Sequence, residues 1–154
     1  MAGEQKSGQP TLRERALRFL ARREHSRAEL ERKLAPHAGD PEEIAPVLDE
    51  LERRGWLSEQ RVVEQVVHAR RARFGARRIE RELLDKGISE DSIAAALPEL
   101  KGQELEAARV VWQKKFGGRQ AGRPAERARQ VRFLQGRGFD LDVIMKVIKG
   151  KDDE

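Results

Sequence analysis

The chain has 154 residues, with 32 Lys and Arg against 27 Asp and Glu for a net charge of +5, and charged and hydrophobic residues each make up 38% of it. That length suits one domain or a short array of small repeats, and so much charge implies a thin core under a wet surface, which disfavours a large globular enzyme. The absence of cysteine excludes a disulfide scaffold, a thiolate zinc site and a cysteine nucleophile, and no stretch approaches the ~18 apolar residues of a membrane span.

In chain order, a polar opening without an apolar core (residues 1–10) reads as a disordered tail rather than a signal segment, so a soluble cytoplasmic protein is expected. Apolar residues then recur at three- and four-residue spacing, as in Leu17 and Leu20, Leu30 and Leu34, and Ile44, Leu48 and Leu51, without the alternation of strands. Thr11 with Glu14, Ser26 with Glu29 and Asp40 with Glu43 have the spacing of capping boxes, Ser58 and Ser89 are simple N-caps, and Gly55, Gly87 and Gly138 stand where helices should stop. The pattern predicts an all-α chain of nine helices starting near Thr11, Ser26, Asp40, Ser58, Ala76, Ser89, Gly102, Pro124 and Asp140. Pro46 should either kink the third helix or move its start toward Glu43. Residues 150–154 read as an acidic C-terminal tail.

Offsets between landmarks repeat along the chain. Leu83, Gly87, Ile88, Ile93 and Leu97 are matched by Leu134, Gly138, Phe139, Ile144 and Ile148, and more faintly by Leu34, Ala38, Gly39, Ile44 and Leu48. Three tandem three-helix repeats follow, at 11–57, 58–100 and 101–149, expected to stack into an elongated, curved body because none buries much alone. Trp56, just after Gly55, is expected to plug the junction of the first two.

Charge is segregated within this scheme. Residues 61–82 hold seven Arg against three Glu and residues 109–137 hold nine bases against Glu126, whereas residues 38–60 hold seven acids against Arg53 and Arg54. One basic and one acidic face are expected.

No catalytic constellation emerges. His25, His37 and His68 lack metal-ligand spacing, and the serines serve as caps or lie outside any nucleophile elbow. The GRQAGRP run at residues 118–124 follows a helix and lacks the Gly-Lys-Ser/Thr ending of a nucleotide-binding loop. Most aromatics fall at apolar or junction positions and serve the core rather than base stacking. What remains is a set of cations bracketing two equivalent turns: Arg70, Arg71, Arg73, Arg77, Arg78 and Arg81 in the middle repeat, and Lys114, Lys115, Arg119 and Arg123 in the third. Guanidinium groups pair with phosphates or carboxylates in a bidentate fashion, so the two turns suit a polyanion or an acidic protein groove. Internal pairing with Glu is the competing reading.

The segments SRAELERKL, LDELERRGWLSEQRVVEQVVHARRARFGARRIERELLDKGISEDSI and VRFLQGRGFDLDVI, in this order between about Ala16 and Ile148, resemble the RecX family of recombination regulators. The resemblance implies a cytoplasmic bacterial protein of three three-helix repeats, without catalytic residues or cofactor. It implies binding along the RecA recombinase filament and inhibition of the ATPase, strand-exchange and coprotease activities of RecA, in DNA repair and the SOS response. The partner-binding surface implied is the basic one, from Arg70 to Arg81 and its third-repeat counterpart, in a monomer with weak, sequence-independent affinity for DNA. A nonspecific helix-turn-helix-like DNA-binding protein, its Arg clusters holding phosphates directly, is the alternative.

Overall fold

Four of the helices begin where a side-chain oxygen satisfies N–H groups that the first turn leaves unpaired. Thr11 and Glu14 form a reciprocal capping box at the start of α1 (Leu12–Arg22), and Ser26 and Glu29 form another at α2 (Arg27–Leu34). Ser58 accepts from the Arg61 N–H ahead of α4 (Glu59–Arg70), and Ser89 from the Ser92 N–H ahead of α6 (Glu90–Phe116). The remaining helices are α3 (Ile44–Arg53), α5 (Ala76–Asp85), α7 (Pro124–Gly136) and α8 (Leu141–Lys149). The computed structural model describes residues 8–150; the expected acidic cluster Asp152, Asp153 and Glu154 and most of the expected N-terminal tail lie outside them.

Eight α-helices rather than nine are found among the described residues. The helices expected from Ser89 and Gly102 are one continuous α6, with Pro98 inside it. Its buried positions Leu100, Glu104, Ala108 and Val111 continue the helical period across Gly102, so packing sustains a helix that local propensity would break. At the third start, Asp40 caps a short 3-10 turn (Pro41–Glu43) by accepting from the Glu42 N–H, and α3 begins only at Ile44. Pro46 therefore lies in the first turn, where its missing N–H costs nothing, and no kink is required.

The described residues divide into two compact units: one runs to Val62 and includes Lys86–Ile88, and the other holds Val63–Asp85 and Ser89 onward. In the first, α1, α2 and α3 pack together around Ala16, Leu30, Leu34, Leu48 and Leu51, all fully buried. Trp56 does not plug this core. It is 41% exposed, with the Arg13 and Arg54 guanidinium carbons 5.5 and 5.1 Å from its ring centre. In the second unit, α6, α7 and α8 enclose Ala108, Leu134, Phe139, Ile144 and Ile148, and α5 packs on α6. Leu34, Leu83 and Leu134, the matched positions of the repeat, are each completely buried.

The same joint occurs once in each unit. In the first, the Ser26 hydroxyl at the head of α2 donates to the Lys86 carbonyl, and a β-carbon on Gly87 would meet that of Ala28 at 2.6 Å. In the second, the Gly75 N–H at the head of α5 donates to the Arg137 carbonyl at 2.8 Å, and the Arg77 N–H to the Gly138 carbonyl at 3.2 Å. Gly87 and Gly138 both have positive φ, +77° and +88°. A left-handed residue lets each turn expose its carbonyls to a helix N-terminus, where N–H donors are in surplus.

Candidate partner-binding surface

The cations singled out above come from three places: the end of α4 and the following turn (Arg70, Arg71, Arg73), the outer side of α5 (Arg77, Arg78, Arg81), and the end of α6 with the following loop (Lys114, Lys115, Arg119, Arg123). Three of them have carboxylate partners: Arg70 with Glu82 at 3.0 Å, Arg77 with Asp140 at 2.6 Å and Arg81 with Asp85 at 3.7 Å. Internal pairing, the competing reading of the sequence, thus holds for these. The pairs are largely exposed and contribute little to stability.

The others keep their charge uncompensated by any ion pair among the described residues. Arg73 and Arg78 lie over the Phe74 ring, 5.7 and 4.7 Å from its centre, and Arg78 also donates to the Gly136 carbonyl at 3.3 Å. Arg71 reaches only the neutral amide oxygen of Gln103, at 3.4 Å. Lys115 sits 5.2 Å from the Phe133 ring. Arg137 joins them, its guanidinium carbon 5.2 Å from both Phe74 and Phe133. A π face orients a cation without neutralising it, so these groups remain able to pair with an incoming anion.

Arg73, Lys114 and Lys115 line one groove with Arg137. Arg123 lines a separate depression with Arg127 and Arg132, along Pro124, Ala128 and Val131. Arg77 faces a third, where Glu80, Asp140 and Asp142 offset it and Lys101. The ten cations therefore do not form one continuous site. The loop that carries Arg119 is tethered: the Gln130 side chain donates to the Arg119 carbonyl at 3.1 Å and accepts from the Trp112 indole N–H at 3.0 Å.

The buried polar groups are structural supports. Glu104 is 3% exposed, and one of its oxygens accepts from the Ala76 N–H at 3.1 Å and the Asp140 N–H at 3.2 Å, fixing the starts of α5 and α8 together. Burial raises its pKa, opposed by those two N–H groups. Its place on the buried stripe between Leu100 and Ala108 was the available signal, missed because carboxylates on helices are usually solvated. His25, buried at 1%, donates from Nδ1 to the Arg23 carbonyl and accepts at Nε2 from Lys33; desolvation and the neighbouring cations hold its pKa down. His37 and His68 are exposed. Among the described residues, no group of His, Asp and Glu is placed to hold a metal ion, and no helix is long and apolar enough to cross a membrane.

Family models match three successive segments of the chain: those of the first (13–51), second (58–97) and third (102–148) three-helix domains of RecX. The chain is similar to the regulatory protein RecX of Leptothrix cholodnii, 55% identical over 146 residues that cover 95% of this chain and 92% of that one. It is similar also to that of Ralstonia nicotianae, 45% identical over 142 residues covering 92% and 89%. Its fold is similar to the crystal structure of RecX from Lactobacillus salivarius, with a TM-score of 0.77 at 19% identity, covering 93% of this chain and 96% of that one.

Proposed function

The chain belongs to the RecX family, and on that premise we propose that it is a cytoplasmic, non-enzymatic regulator that binds the RecA nucleoprotein filament and restrains its ATPase, strand-exchange and coprotease activities. It acts as a monomer and without a cofactor. The observation that carries the reading is the set Arg71, Arg73, Arg78, Lys115 and Arg137, held near rings and neutral groups and free of ion pairs among the described residues, with Lys114 beside them in the groove. A surface needing only solubility would gain nothing from orienting cations this way, whereas a contact with an acidic filament would. The name of these relatives, regulatory protein, supports a binding role over catalysis.

Direct contact with DNA is a weaker, secondary affinity in this account, set by counterion release and falling steeply with salt. Co-sedimentation tests the reading. Wild-type protein should pellet with RecA filaments at a salt concentration where it no longer pellets with the same DNA lacking RecA. Equal partition to bare DNA would favour the nonspecific DNA-binding alternative.

A further inference from the structure

The groove that gathers Arg73, Lys114, Lys115 and Arg137 has a chemistry narrower than positive charge. Within the C-terminal unit it opens between the turn after α4, the last third of α6 and the end of α7, with a volume of about 280 Å³. The rim carries those four cations and no carboxylate. The rest of the lining is apolar: Ala72, Val110, Val111 and Phe133. Val110 is 50% exposed, an aliphatic side chain left open to water among cations.

Phosphate oxygens need donors and charge, and apolar lining contributes nothing to holding them. A protein segment uses both parts: an apolar residue gains by leaving water, and flanking carboxylates make charge-assisted hydrogen bonds at the rim. The rim is prepared for this. Arg137 donates to the Arg73 carbonyl at 3.2 Å while resting on Phe74 and Phe133, so its position is fixed before any partner arrives. A second depression shares Val110 and Lys114 with this groove and is lined also by Glu106, Arg109 and Gln113.

We propose that this groove docks an acidic protein segment with one apolar anchor, the anchor lying against Val110 and Phe133 and its neighbouring carboxylates pairing with Arg73, Lys114, Lys115 and Arg137. This rests on the filament-binding reading for the identity of the protein that supplies the segment, but not for the chemistry of the groove.

Fluorescence anisotropy on the full chain tests it with three labelled probes: a short peptide of Asp and Glu around a central Phe, the same peptide with Ser in place of Phe, and an oligothymidylate of matched charge. The Phe peptide should bind about tenfold tighter than the Ser peptide, the factor expected for burying part of an aromatic ring, and tighter than the oligothymidylate. Val110→Asp should abolish the difference, Ala72→Glu should weaken the Phe peptide in the same way, and Arg32→Glu, exposed on α2 in the other unit, should leave both peptides unchanged. Both groove positions are exposed, so either variant serves if the other folds poorly. Equal binding of the two peptides, preference for the oligothymidylate, or undiminished binding by Val110→Asp and Ala72→Glu would overturn the proposal. Peptide binding without any effect on RecA would leave the groove assigned and remove the filament reading; the reverse outcome would remove only the groove.

Discussion

Gly75 faces the backbone of Gly138 so closely that a β-carbon at residue 75 would overlap the Gly138 carbonyl and the Cα of Phe139. The contact lets the Gly75 N–H reach the Arg137 carbonyl and brings the turn after α7 onto the start of α5. Backbone against backbone cannot yield as a long side chain can. Gly75→Ala and Gly138→Ala should each cost about 2 to 4 kcal/mol, the second also because Gly138 has positive φ. Gly102→Ala, inside α6 with open space around its β position, should instead stabilise by about 0.5 to 1 kcal/mol. Denaturant titration of the three variants checks both signs.

Glu104 makes a second prediction because its two roles, acceptor and charge, can be separated. Gln at this position keeps an oxygen for the Ala76 and Asp140 N–H groups without a buried charge. Glu104→Gln should therefore be as stable as the wild type or about 1 kcal/mol more so at neutral pH, whereas Glu104→Ala, which orphans both donors, should lose about 2 to 4 kcal/mol. Urea unfolding at pH 7 separates the outcomes.

The dependence of stability on pH follows from two carboxylates shifted in opposite directions. Burial opposes ionisation of Glu29, but Arg23, the Ser26 N–H and Lys86 outweigh it and lower the pKa from the usual 4.5 to about 2. A lowered carboxylate stabilises the fold above its unfolded value, and that contribution is lost as pH falls toward the folded one. Glu29 should thus account for about 2 to 3 kcal/mol lost between pH 4.5 and about 2. Glu104, raised by burial, acts in the other sense: its favourable contribution is present at acid pH and fades as pH rises through its folded value. Glu29→Gln should flatten the acid limb of stability against pH, and Glu104→Gln should steepen it.

Much of this was legible in the sequence because it is local. The capping pairs Thr11/Glu14 and Ser26/Glu29 and the stops at Gly55, Gly87 and Gly138 depend on neighbours a few residues away, and the buried Leu34, Leu83 and Leu134 follow from the repeat. The continuity of α6 was hidden because Pro98 and Gly102 argue for a break that only the buried stripe overrides. Trp56 was expected to plug the junction of the first two repeats from its place after Gly55; what meets its largely open ring is instead the guanidinium of Arg13, far away in sequence. At the surface the excess of base was plain, but not which cations are neutralised: Arg77 meets Asp140 across 63 residues of chain. Arg137 escaped notice because its value lies in two rings far apart in sequence, Phe74 in the turn after α4 and Phe133 in α7.

The most direct test of the central claim is the ATPase rate of RecA on single-stranded DNA as this protein is added well below one molecule per RecA protomer. The wild-type chain should inhibit at these ratios, and the inhibition should weaken as salt rises. Arg71→Glu with Lys114→Glu, two exposed cations without ion pairs among the described residues, should melt like the wild type yet fail to inhibit, since each reversal sets like charges across the contact. Full inhibition by the folded double variant, or no effect of the wild-type chain at any ratio, would contradict the account.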